Sequence, residues 1–175
     1  MSCVCESISA GIAKECSNNV GGIKKMYVTE KCNVSSYTLS SPGDEISTIT
    51  MSGGASFYEY VFNKNTCFFT ESENNDEANG TTLVTQTITL VLNRREKTKR
   101  DNLMLLNKFK ELVIIITDSN DINWLFGETN GVVLKTNEGG SGTAKTDRNG
   151  YTLTFVGEEP ELANTVTDAA LAAVI

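Results

Sequence analysis

The sequence predicts a mainly β domain, α+β in strict terms: an antiparallel β-sandwich or barrel flanked by one α-helix. Three observations carry this. Alternating apolar and polar runs recur along the chain, the longest being Thr81–Asn93 (TTLVTQTITLVLN), and a period of two belongs to half-buried strands. Asn-Gly pairs stand before strand-like runs at Asn79-Gly80, Asn130-Gly131 and Asn149-Gly150, and this dipeptide favours tight hairpin turns with positive φ. One stretch, 97–112, switches to helical spacing. The chain has 175 residues, 39% of them apolar and 21% charged, which is ordinary for one globular core.

The elements follow in order. Residues 1–22 are small and polar and end in Gly21-Gly22, which reads as an N-terminal arm. The domain proper is expected over 23–157. Ile23–Glu30 alternates well enough for a first strand, Ser35–Asp44 is rich in turn formers, and Ile46–Met51 is a short strand broken by Ser52-Gly53-Gly54. Phe57–Asn63 is aromatic and strand-like, Thr66–Thr70 continues the sheet, and the acidic Glu71–Gly80 reads as a solvated loop or hairpin tip. In Thr81–Asn93, Ile88, Leu90 and Leu92 share one face, while Thr85, Thr87 and Thr89 share the other. That suits a sheet with one buried and one wet side.

The helix is expected at about 98–111, with Leu105, Leu106, Phe109 and Leu112 as its apolar stripe and Thr98 or Asp101 as its cap. A run of short strands follows: Leu112–Thr117, then Trp124–Phe126 after the turn Asp118–Asp121, then Val132–Lys135. A glycine-rich loop, Asn137–Gly150, leads to a last strand, Tyr151–Gly157. The tail 158–175 is rich in small residues and ends in the apolar Leu171–Ile175. It reads as a frayed helix or as an extended C-terminal arm that docks on a neighbour, since its apolar end would be costly to leave in water.

Composition narrows the chemistry. There is no histidine among the 175 residues, which excludes triads built on His and removes the commonest metal ligand. The five cysteines (Cys3, Cys5, Cys16, Cys32, Cys67) are odd in number. Cys3-x-Cys5 with Cys16 and Cys32 lacks the usual spacing of a zinc site, so free thiols are expected. The start of the chain has no basic segment leading into an apolar one, which predicts no secretory leader; no apolar run approaches the roughly 20 residues of a membrane span. The net charge of −7 argues against a general binder of phosphate backbones. The basic residues from Arg94 to Arg100 read as a solvated face.

Two motifs invite a chemical reading and fail it. Gly139–Thr146 is one substitution from the phosphate loop G-x-x-x-x-G-K-[ST], with Ala144 where the second glycine belongs. Such a loop must open a helix, and here a turn and a strand follow. Asp118-Ser119-Asn120-Asp121 starts like a calcium loop, but its sixth and twelfth positions are Asn123 and Thr129, where glycine and glutamate are needed. No paired carboxylates or nucleophile–base pair emerge, so no enzyme activity, metal or cofactor is expected.

Several segments together carry a likeness: Gly21–Tyr27, Val91-Leu92-Asn93, Val113–Asp118, Trp124-Leu125-Phe126-Gly127, Asn130-Gly131, Gly142-Thr143-Ala144 and, most specific, Asp147-Arg148-Asn149-Gly150-Tyr151-Thr152-Leu153-Thr154-Phe155. The chain resembles tail-tube-like virion structural proteins (major tail proteins) of phages and prophages of Bacteroidetes hosts. The likeness spans most of the chain outside the acidic middle and the two ends.

The resemblance implies a tail-tube fold, in which subunits join into rings, commonly hexamers. The rings stack into a conduit for DNA ejection, and DNA passes through the lumen without specific binding. The implied partners are further copies of the chain and other tail proteins, in the virion tail, after synthesis in the host cytoplasm. On this reading Gly139, Gly140, Ser141, Gly142, Asp147 and Arg148 of the loop, with Leu171, Val174 and Ile175 of the tail, are candidate inter-subunit residues. The alternatives are a connector or ring component of a short-tailed virion, or a small β-rich adhesion or carbohydrate-binding module using Tyr58, Tyr60 and Trp124.

Overall fold

The computed structural model describes residues 11–12, 19–40, 45–63, 65–108 and 111–175. It is mainly β, with an open sheet of eleven strands and two α-helices. The strands are β1 Ile23–Glu30, β2 Val34–Leu39, β3 Ile46–Met51, β4 Tyr58–Tyr60, β5 Phe68–Asp76, β6 Thr81–Asn93, β7 Leu112–Asp118, β8 Asn123–Phe126, β9 Val132–Gly140, β10 Gly150–Glu159 and β11 Asn164–Val166; the helices are α1 Lys97–Leu106 and α2 Asp168–Val174.

The sheet forks at β7. One edge of β7 pairs with β1, which carries the short β4. The other edge pairs with β8 from Ile114 to Thr117 and touches β9 at Leu112 opposite Val132. From β8 one wing runs through β11 and β3 to β2; from β9 the other runs through β10 and β6 to β5. The wings face each other across one core, where Met26, Val28, Ile114, Ile116 and Phe126 meet Ile88, Leu90, Leu153 and Phe155. A second core lies on the far side of β7, where Val113, Ile115 and Leu125 meet Ile46, Ile49, Phe57 and α2.

The fork has a local cause. Gly127 ends β8 with φ +78°, and a side chain there would strike the Leu112 carbonyl oxygen and Val132. Only glycine lets β8 turn away while β9 closes on β7.

Three buried polar side chains brace the seam. Gln86, on the apolar face of β6, accepts from the Gly127 amide (3.1 Å) and donates to Glu71 (3.2 Å), which also accepts from the Ala163 amide. The Glu159 carboxylate accepts from the amides of Thr129, Asn130 and Gly131 at 2.8–3.1 Å, holding the β8–β9 turn. Asn123 accepts from the Thr117 hydroxyl and donates to Asp168 and the Val166 carbonyl, tying α2 to β8.

Several expectations are corrected. Within the turn-rich stretch 35–44, residues 34–39 form β2, because Tyr37 and Val34 pack on the second core while the serines face water; residues 41–44 lie outside the described set. Phe57–Asn63 yields only the three-residue β4. Of the acidic stretch 71–80, the part to Asp76 is strand, paired residue by residue with Thr81–Gln86, and the tip is Glu77–Gly80. Helix α1 ends at Leu106, earlier than expected. Its buried residues are Leu103 and Leu106, Leu105 is half-exposed, and Leu112 belongs to β7; Phe109 lies outside the described residues. Neither Thr98 nor Asp101 caps it, since Glu96 holds that position without a side-chain bond.

The tail differs most. Instead of extending as an arm, residues 158–175 complete β10, insert β11 between β3 and β8, and end in α2, so the helical alternative holds only for Asp168–Val174. Thr167 caps α2 by accepting from the Ala170 amide, and Ala170, Leu171 and Val174 are buried on the second core. The same apolar pressure that suggested docking on a neighbour is met within the chain. Of the expected N-terminal arm, residues 11–12 and 19–22 are described; Val20 and Asn19 bond to Asn120.

Ile115→Ala should lower unfolding free energy by about 2–5 kcal/mol, as should Leu171→Ala, because each leaves a cavity in a closed core. Urea titration measures both. A near-neutral Leu171→Ala would return the tail to the status of an arm.

Candidate functional site

Three surfaces stand out. The first is the β9–β10 connection. Asn137–Gly140, expected as loop, is strand: Gly139 pairs with Tyr151 and Gly140 with Gly150. A side chain at 139 would meet the Tyr151 ring, and one at 150 would run into the Leu92 carbonyl oxygen, so these two glycines allow close strand approach.

The true loop is 141–149, and its geometry explains why it is no phosphate cradle. The Asp147 carboxylate accepts from the amides of Thr143 and Ala144, both at 2.8 Å, and the Asp147 amide closes on the Ala144 carbonyl. Two of the loop's amides are thus already taken by a carboxylate of its own. Those bonds, Ala144's first and then Thr143's, hold the Asp147 carboxyl below its ordinary value of 3.8. Gly142, with φ +71°, lies against Asp147, and Ser141 bonds only to the neighbouring Gly142 carbonyl.

The loop is anchored to the β6–α1 junction. Arg148 donates to the Tyr151 carbonyl and the Thr152 hydroxyl. The Arg94 and Arg95 amides bond to Asn149, and the Arg95 guanidinium lies 5.3 Å from the Tyr151 ring centre. A cleft of about 350 Å³ opens between Arg95, Lys97 and Arg100 on one side and Ser141, Asn149 and Tyr151 on the other. The expected site residues therefore split. Gly139, Gly140, Ser141, Gly142, Asp147 and Arg148 gather at one end of the molecule, whereas Leu171 and Val174 are buried in the second core and only Ile175 is exposed.

The second surface is the outer face of the β9-β10-β6-β5 wing. Register places Thr70 opposite Thr87, Thr154 opposite Thr89, and Thr136 opposite Thr154. Thr85 and Thr152 extend the same face, with Phe68, Val91, Val133 and Val156 among them. The result is a four-stranded, half-exposed face of hydroxyls and methyls. Its carboxylates, Glu138 and Glu158, lie toward opposite ends.

The third is a cleft of about 620 Å³ between β4, the end of β1 and α1, with apolar walls from Val28, Tyr60, Leu92, Leu103 and Leu106. Tyr58 is exposed at its rim; burial pushes the Tyr60 phenol up. Trp124 is elsewhere, packed near Phe69 and donating to Asp118, so the three aromatics do not form one platform. The Asp118–Asp121 segment is a turn closed by Asp118 accepting from the amides of Asn120 and Ile122, with no calcium-loop geometry.

Among the described residues no group of three or more Cys, Asp or Glu is placed to hold a metal ion. Cys32 is exposed and Cys67 buried, while Cys3, Cys5 and Cys16 lie outside the described residues. No described helix is long and apolar enough to cross a membrane. The seam residues Gln86, Asn123 and Glu159 escaped the sequence reading. Gln86 had left a trace, as the one polar residue in the inward series Val84, Gln86, Ile88, Leu90, Leu92.

No protein-family model, curated protein or solved structure matches this chain.

Asp147→Ala should release the Thr143 and Ala144 amides to rapid hydrogen exchange while leaving β9 and β10 protected. In the parent chain the same protection is fully present above the ordinary carboxyl value of 3.8. It is lost as pH falls through the depressed folded value, because protonation removes the acceptor. Protection that persists in the Ala variant would show that the carboxylate does not order the loop.

Proposed function

We propose that this chain is a non-enzymatic, self-assembling structural protein of a phage virion, a tail-tube subunit whose rings stack into a conduit for DNA. The observation that carries the reading is the threonine-paved face of the β9-β10-β6-β5 wing. Proteins grip nucleic-acid backbones through Lys and Arg, and each neutralised phosphate adds affinity. Across the middle of this face the paired positions of β10, β6 and β5 offer hydroxyls and methyls, and the cations beside them are Lys135 at the β9 bulge and Arg148 on the Thr152 hydroxyl toward one end. Such a wall lets a polyanion slide past, and the net charge of −7 disfavours adhesion elsewhere. The resemblance of the Asp147–Phe155 block to tail-tube proteins points the same way. So do the unpaired outer edges of β2, β4 and β5 among the described strands, which suit sheet-to-sheet joining of copies.

The location that follows is the virion tail, and the partners are other copies and other tail proteins. A connector ring of a short-tailed virion would use the same surfaces. The alternative of a β-rich binding module rests on the cleft beside Tyr58 and Tyr60.

Negative-stain microscopy and light scattering over a concentration series should reveal rings or tubes. Thr87→Lys with Thr154→Lys should leave them assembled and make them retain duplex DNA in a gel-shift assay. A strict monomer at high concentration overturns the proposal.

A further inference from the structure

Charge in this molecule is sorted along a single strand. β6 is 13 residues long, about 40 Å at ~3.3 Å per residue. At its start, the β5–β6 hairpin carries Glu73, Asp76 and Glu77, and no Lys or Arg occurs from residue 65 to 93. Glu158 and Glu159 end β10 beside Thr85 and Val84, and Glu128 and Glu161 line a cleft with Glu159. After its end come Arg94, Arg95, Lys97, Lys99 and Arg100, with Lys145 and Arg148 on the loop anchored there. The described ion pairs are Lys24–Asp121, Lys99–Glu96 and Arg100–Asp101. Among the described residues, therefore, Glu73, Asp76 and Glu77 at one end, and Arg95, Lys97 and Lys145 at the other, have no partner of opposite sign.

The acidic end also has an unpartnered shape. β10 covers β6 only from Val84 onward, so residues 74–83 project as a bare two-stranded hairpin, exposed on both faces. Such a hairpin is only marginally stable in water by itself. Its tip is nonetheless set, because Asp76 accepts from the Ala78 and Asn79 amides and from the Asn79 side chain. At the basic end lies the cleft between Arg95, Lys97, Arg100 and the 141–149 loop, whose one acidic lining residue, Glu96, is paired with Lys99.

We propose that the hairpin 74–83 of one copy seats in the Arg95–Arg100 cleft of the next, a polar head-to-tail contact between copies of this chain. This rests on the reading of the chain as a self-assembling subunit and names the surfaces that join copies end to end. The two patches differ and lie at opposite ends, so the contact is heterologous and repeats without closing on itself as a two-fold dimer. The overall negative charge works against it at long range. At 0.1–0.15 M salt the Debye length of about 8–10 Å screens that repulsion while the contacting charges still attract.

The test is a charge swap read by sedimentation velocity at 0.15 M salt. Variant one carries Glu73→Lys and Glu77→Lys, which leaves the turn-forming Asp76 in place. Variant two carries Lys97→Glu and Lys145→Glu. Each alone should associate at least tenfold more weakly than the parent, since variant one reverses the charge of the hairpin and variant two cancels the positive excess of the cleft end. An equimolar mixture should recover assembly, because each variant's hairpin then meets the other's cleft; misfolded variants would not recover on mixing. If the parent assembles and the variants assemble equally well, this contact is wrong and the assembly reading stands. If the parent stays monomeric, both fail. If the parent binds duplex DNA through Lys97 and Lys145 and the hairpin swap has no effect on association, the basic cleft is a nucleic-acid surface and the inference is overturned.

Discussion

The fold depends on one strand that is buried on both faces. In β7, Leu112, Ile114 and Ile116 face one core and Val113 and Ile115 the other, each at most 1% exposed. A run of five consecutive large aliphatic residues cannot sit at a wet surface, so layers must form on both sides. Each such side chain contributes about 1.5–3 kcal/mol when buried. Five together are comparable to the net stability of a whole domain, ~5–15 kcal/mol. The opposing wing satisfies one face; β3 and α2 satisfy the other. The C-terminal helix is therefore a consequence of Val113 and Ile115 as much as of its own sequence.

A strand that serves two cores needs its neighbours to diverge, and polar groups fix where they do. Gly127 permits the fork, Gln86 meets its amide, and Glu159 takes the three amides of the turn that follows. Each is costly to bury unless its bonds are made, and here they are made between elements distant in sequence. That specificity distinguishes this packing from a generic collapse of apolar strands. The cluster has an electrostatic reach: burial first, then the carboxylates of Glu128 and Glu159, push the Tyr37 phenol well above its ordinary value.

What was legible in the sequence follows the range of the interactions. The alternation in Thr81–Asn93 fixes which face is wet, and its register is local to a hairpin. Asn79-Gly80 and Asn130-Gly131 mark real turns with glycine at positive φ. Asn149-Gly150 misleads, because Gly150 is needed for close approach to Leu92 inside the sheet. β2 was hidden by its serines, since an edge strand needs only Tyr37 and Val34 inside. The tail was hidden because β11 pairs with β8 and β3, far away in sequence, and no local pattern reports that. The glycine-rich stretch from Asn137 to Gly150 reads locally as one loop, but the strand reaching to Gly140 is imposed by its partners Tyr151 and Gly150. The seam residues were unreadable for the same reason: their partners are backbone amides of other elements.

The 141–149 loop shows how satisfied backbone groups decide what a surface can do. A glycine-rich stretch with free amides attracts anions; one whose amides are held by its own aspartate presents side chains instead. Here Lys145 is exposed on a loop anchored at Arg94 and Arg95, at the end of a strand whose other end is acidic. The threonine face between them is poor in cations, with Lys135 at the β9 bulge and Arg148 on Thr152. A molecule needing only solubility would gain by mixing its charges, since interspersed signs avoid long-range fields. Segregation toward opposite ends of one 13-residue strand instead gives the molecule a direction. Direction is what the proposed head-to-tail addition requires, and a wall poor in cations is what the proposed conduit requires, so on that reading both draw on the same four strands.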